Sequence, residues 1–275
     1  MRFKKESGAG WMDKPRSDKD LEFIRESGKI AASALKKALD KLKIGVSAKE
    51  IDKAAEKEIY TQGGDLSYKS VPGYKWASCI TFNDQVVHGI PTDRKVEEGD
   101  LVSVDLAVSY KGWHTDNAWT IEVKSEKLKV KSEEERKKES FLEVGKEALK
   151  LGIKKAISGN RVGDISAAIQ RKVEGEGYHV VRSLVGHGVG KSLHEEPEIP
   201  GFGTAGTGPV LEEGMTLAIE VIYAMGTPDV ILEKDGWTYK SADGSLSGLF
   251  EMTVLVGKKE ARVLTDWRKI KNVNP

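Results

Sequence analysis

Two segments near the start of the chain carry apolar residues at three- and four-residue steps, which is the spacing of an amphipathic helix. The first segment follows a capping-box pattern at Ser17 and Asp20, and the second follows the same pattern at Ser47 and Glu50. Glycines end both segments, as is common after helices. Two N-terminal helices are therefore predicted.

From Ala77 onward the pattern changes to β-branched and aromatic runs bounded by turn residues, which predicts strands. The runs 101–109 and 113–123 are separated by a short turn, so we expect them to form an antiparallel hairpin. A further helix is predicted at about 164–173. The other predicted strands are 77–82, 179–185, 215–223, 230–232, 249–256 and 261–264.

These elements predict an α+β protein in which helices cover one face of a curved antiparallel sheet. The segment 126–140 is almost wholly charged, and we interpret it as a solvated insertion or the start of a helix. A chain of 275 residues can bury one large core, so a single domain over residues 17–275 fits better than a string of modules. Residues 1–16 are expected to form a flexible basic N-terminus.

The amino-acid composition argues against several classes of protein. The 44 lysines and arginines nearly balance the 43 aspartates and glutamates, so the net charge of +1 lacks the excess typical of nucleic-acid or membrane binders. Cys79 is the only cysteine, which excludes an internal disulfide and thiolate-rich metal sites. No segment is typical of a secretion signal or a membrane span. We expect a cytoplasmic monomer with neither a membrane nor a specific nucleic-acid partner.

One pattern occurs twice along the chain. In each half, a His-x-x-Pro segment and a Glu-Glu-Gly segment precede a predicted strand that carries an acid. The histidines are His88 and His194, and the acids, each six residues after the glycine, are Asp105 and Glu220. A single Glu-Glu-Gly segment before a strand would indicate only a turn. Two copies with matched spacing predict half-domains related by a pseudo-two-fold axis, which brings both acids and both histidines to a shared centre.

The acids give a second indication of a site. Asp105, Glu220 and Glu251 stand within apolar strands, where a carboxylate is costly to bury unless it is paired or bound to metal. Asp116 follows Asp105 across the hairpin turn, so the two carboxylates would lie on neighbouring strands and call for a cation. His187 lies in a glycine-rich segment after a predicted strand, where the backbone can approach a ligand closely. A metal cluster is favoured over solvent-facing acids.

Four carboxylates and one imidazole form a ligand set that suits Mn, Fe or Co, and also Zn. Four carboxylates are more than one divalent ion needs, which favours two divalent ions. Paired ions of this kind hydrolyse amides or esters, because they activate water and stabilise the oxygens of the reacting centre.

At these residues the sequence resembles type I methionine aminopeptidase, a metallopeptidase with the pita-bread fold. The resemblance covers about Asp18 to the C-terminus. It rests on Asp105 and Asp116 at their spacing, Cys79-Ile80, His88-Gly89-Ile90-Pro91, Gly186-His187-Gly188, His194-Glu195-Glu196-Pro197, Ile219-Glu220, Lys234-Asp235-Gly236-Trp237-Thr238 and Phe250-Glu251-x-Thr253.

The resemblance implies removal of the initiator methionine from nascent proteins and peptides with a small second residue, with the ribosome as a candidate contact of the basic start. It implies that Asp116 and Glu251 bridge two metal ions, which Asp105, His187 and Glu220 help to hold. Activated water then attacks the carbonyl after methionine while Glu220 shuttles the proton.

The remaining implied residues contact the peptide. His88 and His194 would hold the substrate and the transition state as hydrogen-bond donors without binding metal. The methionine side chain would enter a pocket at Tyr74, Cys79, Leu193 and Trp237, whose soft and aromatic surfaces suit a thioether. Packing of the core is an equally good role for Trp237.

The chain departs from the family pattern in a few places. Val71 and Leu193 stand where family members often carry aromatic residues, so the width of the pocket is open. Met252 replaces a histidine that is frequent after the bridging glutamate. Neither difference removes a predicted ligand.

Two rival functions remain at this point. Xaa-Pro aminopeptidases and prolidases share the fold and ligand set, but they usually carry an extra N-terminal domain that this sequence does not show. A non-catalytic binding relative would typically have lost ligands, whereas all five are present here.

Overall fold

The computed structural model describes residues 16–124 and 132–270. Residues 1–15, and with them most of the predicted flexible N-terminus, lie outside the described part. The helices are α1 (Asp18–Lys41), α2 (Ala48–Thr61), α3 (Glu133–Ile153) and α4 (Val162–Gly175). The strands are β1 (Asp65–Leu66), β2 (Cys79–Phe82), β3 (Gln85–Val87), β4 (Leu101–Tyr110), β5 (Trp113–Glu122), β6 (His179–Val180), β7 (Val185–Gly188), β8 (Glu195–Pro200), β9 (Thr216–Ala224), β10 (Val230–Leu232), β11 (Tyr239–Ser241), β12 (Ser247–Leu255) and β13 (Arg262–Val263).

The helix starts follow the predicted capping chemistry. Ser17 and Ser47 each accept a hydrogen bond from the backbone N–H three residues on, and the acid at that position accepts one from the serine backbone. Ser132 caps α3 in the same way, so the described end of the charged segment is a helix start. No helix among the described residues combines the length and apolar character that crossing a bilayer demands.

A ten-stranded sheet forms the centre of the molecule, and its strand pairs are antiparallel. The main order is β1-β4-β5-β12-β9-β7-β8, with β2 also beside β4, β6 beside β9 and β13 beside β12. A second sheet has the order β10-β11-β3. Helix α1 packs on β4 and β5, whereas α3 packs on β9 and β12. The predicted α+β class, with helices covering an antiparallel sheet, is confirmed.

The two halves repeat the same backbone hydrogen bonds, which confirms the predicted duplication. The Gly99 N–H donates to the Val123 carbonyl at 2.8 Å, and the Gly214 N–H donates to the Val256 carbonyl at 2.9 Å. Both glycines have a positive φ, at 84° and 88°, so each Glu-Glu-Gly segment makes the same left-handed turn before its acid-bearing strand.

The halves meet where β5 pairs with β12, with Ala118 opposite Glu251 at the middle of the contact. On one side, the Thr120 hydroxyl donates to the Leu249 carbonyl and accepts from the Leu249 N–H, both at 2.8 Å. On the other side, the Thr253 hydroxyl donates to the Asp116 carbonyl at 2.8 Å and accepts from its N–H at 2.9 Å. Each half therefore contributes one threonine whose hydroxyl forms hydrogen bonds with both the N–H and the carbonyl of a residue in the other half.

Alternation along the strands separates the core from the site. In β4, Val104 and Leu106 belong to the core beneath the helices, while the intervening Asp105 faces the other side. In β9, Ile219 and Val221 belong to that same core, and Glu220 lies between them. The apolar neighbours that made these acids conspicuous in the sequence thus pack on the opposite face of the sheet.

The strand predicted at 179–185 is wrong, because the structure has two short strands there, β6 and β7. His187 consequently lies inside β7, not in a loop after a strand. Its flanking glycines allow close strand contact: a Cβ on Gly186 would lie 2.6 Å from the Ala218 carbonyl oxygen, and one on Gly188 would lie 2.2 Å from that of Glu196. The short strands β1, β3 and β11 and the edge strand β8 were not predicted; β8 contains prolines, which disfavour a strand except at an edge.

A glycine in α3 gives a test of this packing. A Cβ on Gly145 would lie 2.5 Å from both a Phe250 ring carbon and the Tyr223 hydroxyl, which are buried. We expect Gly145→Ala to lower the free energy of unfolding by about 1–3 kcal/mol, despite the better helix propensity of alanine. Gly175→Ala, at the end of α4 with no atom within 4 Å of the added Cβ, is the matched control. Urea denaturation should show no loss for the control; equal stability of the two variants would contradict the packing argument.

Candidate metal centre

Three of the predicted ligands lie in one row across the sheet. Asp105 on β4 pairs with Ala118 on β5, Ala118 pairs with Glu251 on β12, and Glu251 pairs with Glu220 on β9. Directly paired residues point to the same face of a sheet. The carboxylates of both halves therefore share one face, and Ala118 between them takes little space.

The other two predicted ligands lie in the next row of the same face. Asp116 pairs with Ala107, two residues along β4 from Asp105, so the two aspartates are diagonal neighbours. His187 pairs with Ala218, two residues along β9 from Glu220. All five side chains predicted to bind metal are thus brought together on four central strands and β7.

Asp116, His187 and Glu251 form a group of donors that could hold a metal ion. One donor atom from each lies within 4.8 Å of the others, and all three residues are buried. The Nε2 atom of His187 is 3.9 Å from an Asp116 carboxylate oxygen. The Nδ1 atom of His187 is 2.9 Å from the Gly188 carbonyl, to which it can only donate. That bond leaves the Nε2 lone pair available as a metal ligand.

Burial and mutual repulsion raise the pKa values of all four acids. Burial raises the pKa of Glu220 to about 8, with a further contribution from the charge of Asp105. Burial raises the pKa of Asp105 to about 6, although the hydrogen bond from Tyr68 acts in the opposite direction and lowers it. The pKa values of Asp116 and Glu251 are raised well above the ordinary range by burial and by the neighbouring carboxylates. Removal from water and mutual repulsion both disfavour the charged forms.

The residues present fit a divalent ion. Within 16–124 and 132–270, none of the four carboxylates forms an ion pair with a lysine or arginine. Buried carboxylates without a cationic side chain are rare unless they bind metal. Carboxylate oxygens with one imidazole nitrogen form a hard donor set that takes Mn, Fe, Co or Zn.

Of the two histidines of the repeat, His194 lies beside this cluster, and His88 is close enough to His194 for their charges to interact. The His194 ring centroid is 4.4 Å from that of His187, and the rings meet edge to face. His88 has a left-handed backbone with φ 58°, and its ring contacts Tyr239 with centroids 5.9 Å apart. Burial lowers the pKa of both His88 and His194 to about 4, and the charge of His194 adds to the effect on His88. Both rings are therefore neutral at pH 7.

The predicted pocket residues form one apolar cluster at the end of the donor row. Cys79 on β2 pairs directly with Asp105, so it extends the row by one strand. The Tyr74 hydroxyl lies 3.2 Å from the Cys79 sulfur, and the Tyr74 ring meets Trp237 edge to face with centroids 5.2 Å apart. Leu193 is buried in this cluster, and Val71 packs against it half-buried.

Sequence reasoning missed two supporting residues. The Tyr68 hydroxyl donates to an Asp105 carboxylate oxygen at 2.7 Å and is buried in the pocket cluster. Thr253 was noted only as part of a motif, yet its hydroxyl fixes the backbone of Asp116. No local sequence signal marks Tyr68, which lies in a short 3-10 turn after β1. Thr253 could have been inferred from its two-residue distance from Glu251, which places both on one face of a strand.

Comparison with known proteins agrees with this geometry. Residues 22–258 match metallopeptidase family M24. The chain belongs to this family. Among M24 relatives, a methionine aminopeptidase of Clostridium perfringens is 39% identical over 250 residues, which cover 91% of this chain and 97% of that protein. Methionine aminopeptidase 1 of Bacillus subtilis is 38% identical over 250 residues, with 91% and 98% covered.

Solved structures extend the comparison to the fold. The methionine aminopeptidase of Thermotoga maritima superposes with a TM-score of 0.86 at 38% identity, covering 92% of this chain and 98% of that one. The prolidase of Pyrococcus furiosus has a TM-score of 0.72 at 23% identity, covering 94% of this chain and 66% of that one. The fold of this M24 protein is thus the pita-bread fold, as the sequence predicted.

Replacement of one predicted central ligand should weaken metal binding strongly. We expect Asp116→Asn to weaken Co²⁺ binding by at least about a hundredfold, because the amide cannot replace a charged oxygen among buried donors. Asp93→Asn, whose side chain is exposed at the surface, is the control and should bind as the wild type does. Calorimetric titration of Co²⁺ into each protein measures the affinity. Unchanged affinity in Asp116→Asn would show that the ion binds elsewhere.

The raised carboxyl pKa values predict a pH dependence of stability. A folded-state pKa above the unfolded one means that the folded chain holds more protons, so stability falls as pH rises toward the folded value. In the unfolded chain, histidines are mostly neutral above about pH 6.5. The pH dependence of stability between about 6.5 and 8 therefore comes mainly from the buried carboxyls, because the pKa of Glu220 is about 8. In chelator, urea denaturation should show stability decreasing over this window, with a smaller decrease for Glu220→Gln. Stability that rises with pH would contradict the assignment.

Proposed function

We propose that this protein is a metal-dependent aminopeptidase that removes the N-terminal methionine from proteins and peptides with a small second residue. The observation that carries the proposal is the direct pairing of Cys79 with Asp105. This pairing joins an apolar pocket of thiol and aromatic groups to the row of metal-ligand acids. A scissile bond held at the acids would leave the side chain of the first residue in that pocket. The methionine aminopeptidases among its M24 relatives support the same conclusion.

The pocket chemistry favours methionine over charged residues. Burial raises the pKa of the Cys79 thiol, so this group is neutral and acts as a soft apolar surface. Tyr74 and Trp237 add aromatic edges and faces, with which a thioether sulfur makes favourable contacts. Leu193 and Val71 are smaller than aromatic residues, so they leave more room for the side chain of methionine.

We assign the metal ligands as Asp105, Asp116, His187, Glu220 and Glu251, and infer that they hold two divalent ions. Their donor atoms exceed the needs of a single ion, and the Asp116 and Glu251 carboxylates lie between the remaining ligands. Bound divalent ions supply a water of lowered pKa and polarise the peptide carbonyl. Mn, Fe, Co and Zn all suit these donors.

The other polar groups serve proton transfer and binding. We assign proton transfer to Glu220, which pairs directly with Glu251 in the donor row and so lies beside a scissile bond held at the acids. His88 and His194 are neutral, so each can donate one ring N–H to the substrate or to charge that develops on its carbonyl oxygen. Tyr68 keeps the Asp105 carboxylate oriented through its hydroxyl.

Within this proposal the substrates are nascent polypeptides in the cytoplasm, and the protein acts as a monomer. The basic residues before α1 are a candidate contact with the ribosome. The Xaa-Pro alternative has less support, because the prolidase likeness is below 25% identity and bears on the fold alone.

A peptide assay tests the function. The purified protein should release methionine from Met-Ala and Met-Gly peptides when Mn, Fe, Co or Zn is supplied, and lose this activity on complete chelation. Glu251→Gln should lower kcat by at least about a hundredfold, because it removes a charged ligand at the centre. Asp93→Asn should remain active. Preference for Ala-Pro peptides, activity without metal, or inactivity with all four metals would each refute the proposal.

A further inference from the structure

Arg16 lies against the turn that carries His194, although it precedes the first helix of the chain. Its guanidinium Nη2 forms an ion pair with a Glu195 carboxylate oxygen at 3.2 Å and donates to the Val189 carbonyl at 3.1 Å. Its Nη1 donates to the Thr216 hydroxyl at the start of β9. Only 7% of the Arg16 side chain is exposed, and its guanidinium carbon also lies 5.2 Å from the centroid of the Trp113 ring.

The turn between β7 and β8, residues 189–194, depends on the same carboxylate. One Glu195 oxygen accepts from Arg16, and the other accepts from the Ser192 N–H at 3.0 Å. The Ser192 carbonyl in turn accepts from the Gly190 N–H at 3.0 Å. Arg16 and Glu195 thus help to fix the turn, together with the His114 N–H, which donates to the Gly190 carbonyl at 2.7 Å. His194 is the last residue before Glu195.

Gly190 leaves the space in which this ion pair sits. A Cβ at that position would lie 2.6 Å from the Arg16 Nη2 atom and 2.7 Å from a Glu195 carboxylate oxygen. Packing against the ion pair therefore explains why this position is a glycine, because any side chain here would displace the ion pair. Arg16 before α1, Gly190 in the turn and Glu195 in β8 converge at this one point.

Anchoring of α1 does not account for Arg16. The start of α1 is capped by Ser17 and Asp20 through their own hydrogen bonds, without the guanidinium. The Arg16 contacts instead reach β9 and the turn beside the metal ligand His187. A buried guanidinium is costly unless its donors are satisfied, and here the donors are satisfied by the turn.

We propose that Arg16 is a positioning residue for His194: through Glu195 and Val189 it holds turn 189–194 so that the His194 ring stays beside His187. The catalytic part of this inference rests on the proposed function. Arg16 itself does not touch the metal ligands, so its effect on the reaction passes through the turn.

Hydrogen exchange tests the structural step without reference to activity. Arg16→Ala should speed exchange of the Gly190 and Ser192 amides by about tenfold or more, because their acceptors lose support. Arg171→Ala, an exposed arginine on α4, is the matched control and should leave this peptide unchanged. Unchanged exchange of residues 189–195 in Arg16→Ala would overturn the proposal, even if the protein proves to have another activity.

A double-mutant cycle tests the catalytic step. Arg16→Ala should lower kcat for methionine release by about tenfold to a hundredfold, with a smaller change in KM. The reason is that a small displacement of His194 from its position would lower the rate by that much. Arg16→Lys should recover part of the loss by keeping the charge beside Glu195. In the His194→Ala background, Arg16→Ala should cost less than about threefold, since its target is gone.

The outcomes separate the two proposals. An equal loss from Arg16→Ala in both backgrounds would mean a general structural effect and would overturn the positioning role. A wild-type protein that releases no methionine would refute the proposed function, and the exchange measurement would still decide whether Arg16 holds the turn.

Discussion

The antiparallel contact between β5 and β12 is the constraint on which the rest of the molecule depends. Ala118 and Glu251 pair at its middle, and Thr120 and Thr253 bond the opposite backbone on either side. This arrangement sets the register between the halves. A shift of one residue would turn Glu251 away from Asp116 toward the helices, because side chains alternate between the faces of a strand.

The site follows from that register by simple alternation. The apolar residues that flank Asp105 and Glu220 point to the helix side, so the core beneath the helices supports the donor row. Four carboxylates on one face repel each other, and burial disfavours their charged forms. The site therefore lowers the stability of the fold. A bound divalent ion would offset this cost, so metal binding is expected to stabilise the fold as well as to serve the proposed function.

Much of this was predictable, because duplication leaves a trace in the sequence. The matched spacing of the Glu-Glu-Gly segments to Asp105 and Glu220 predicted their meeting, and the hairpin placed Asp116 near Asp105. The caps at Ser17 and Ser47 predicted the N-terminal helices. What could not be predicted depends on distant pairing: the edge strand β8, the break before β7, and the contacts of Tyr68 and Arg16 are decided by partners far along the chain.

Proton release on metal binding tests most directly the claim that these acids form one metal centre. Calorimetric titration of the metal-free protein with a divalent ion, at about pH 7.5 in buffers of different ionisation enthalpy, counts the protons released. Because burial raises the carboxyl pKa values, binding should release about one proton or more per chain, and fewer from Glu220→Gln. Binding without proton release, or release unchanged in that variant, would contradict the account.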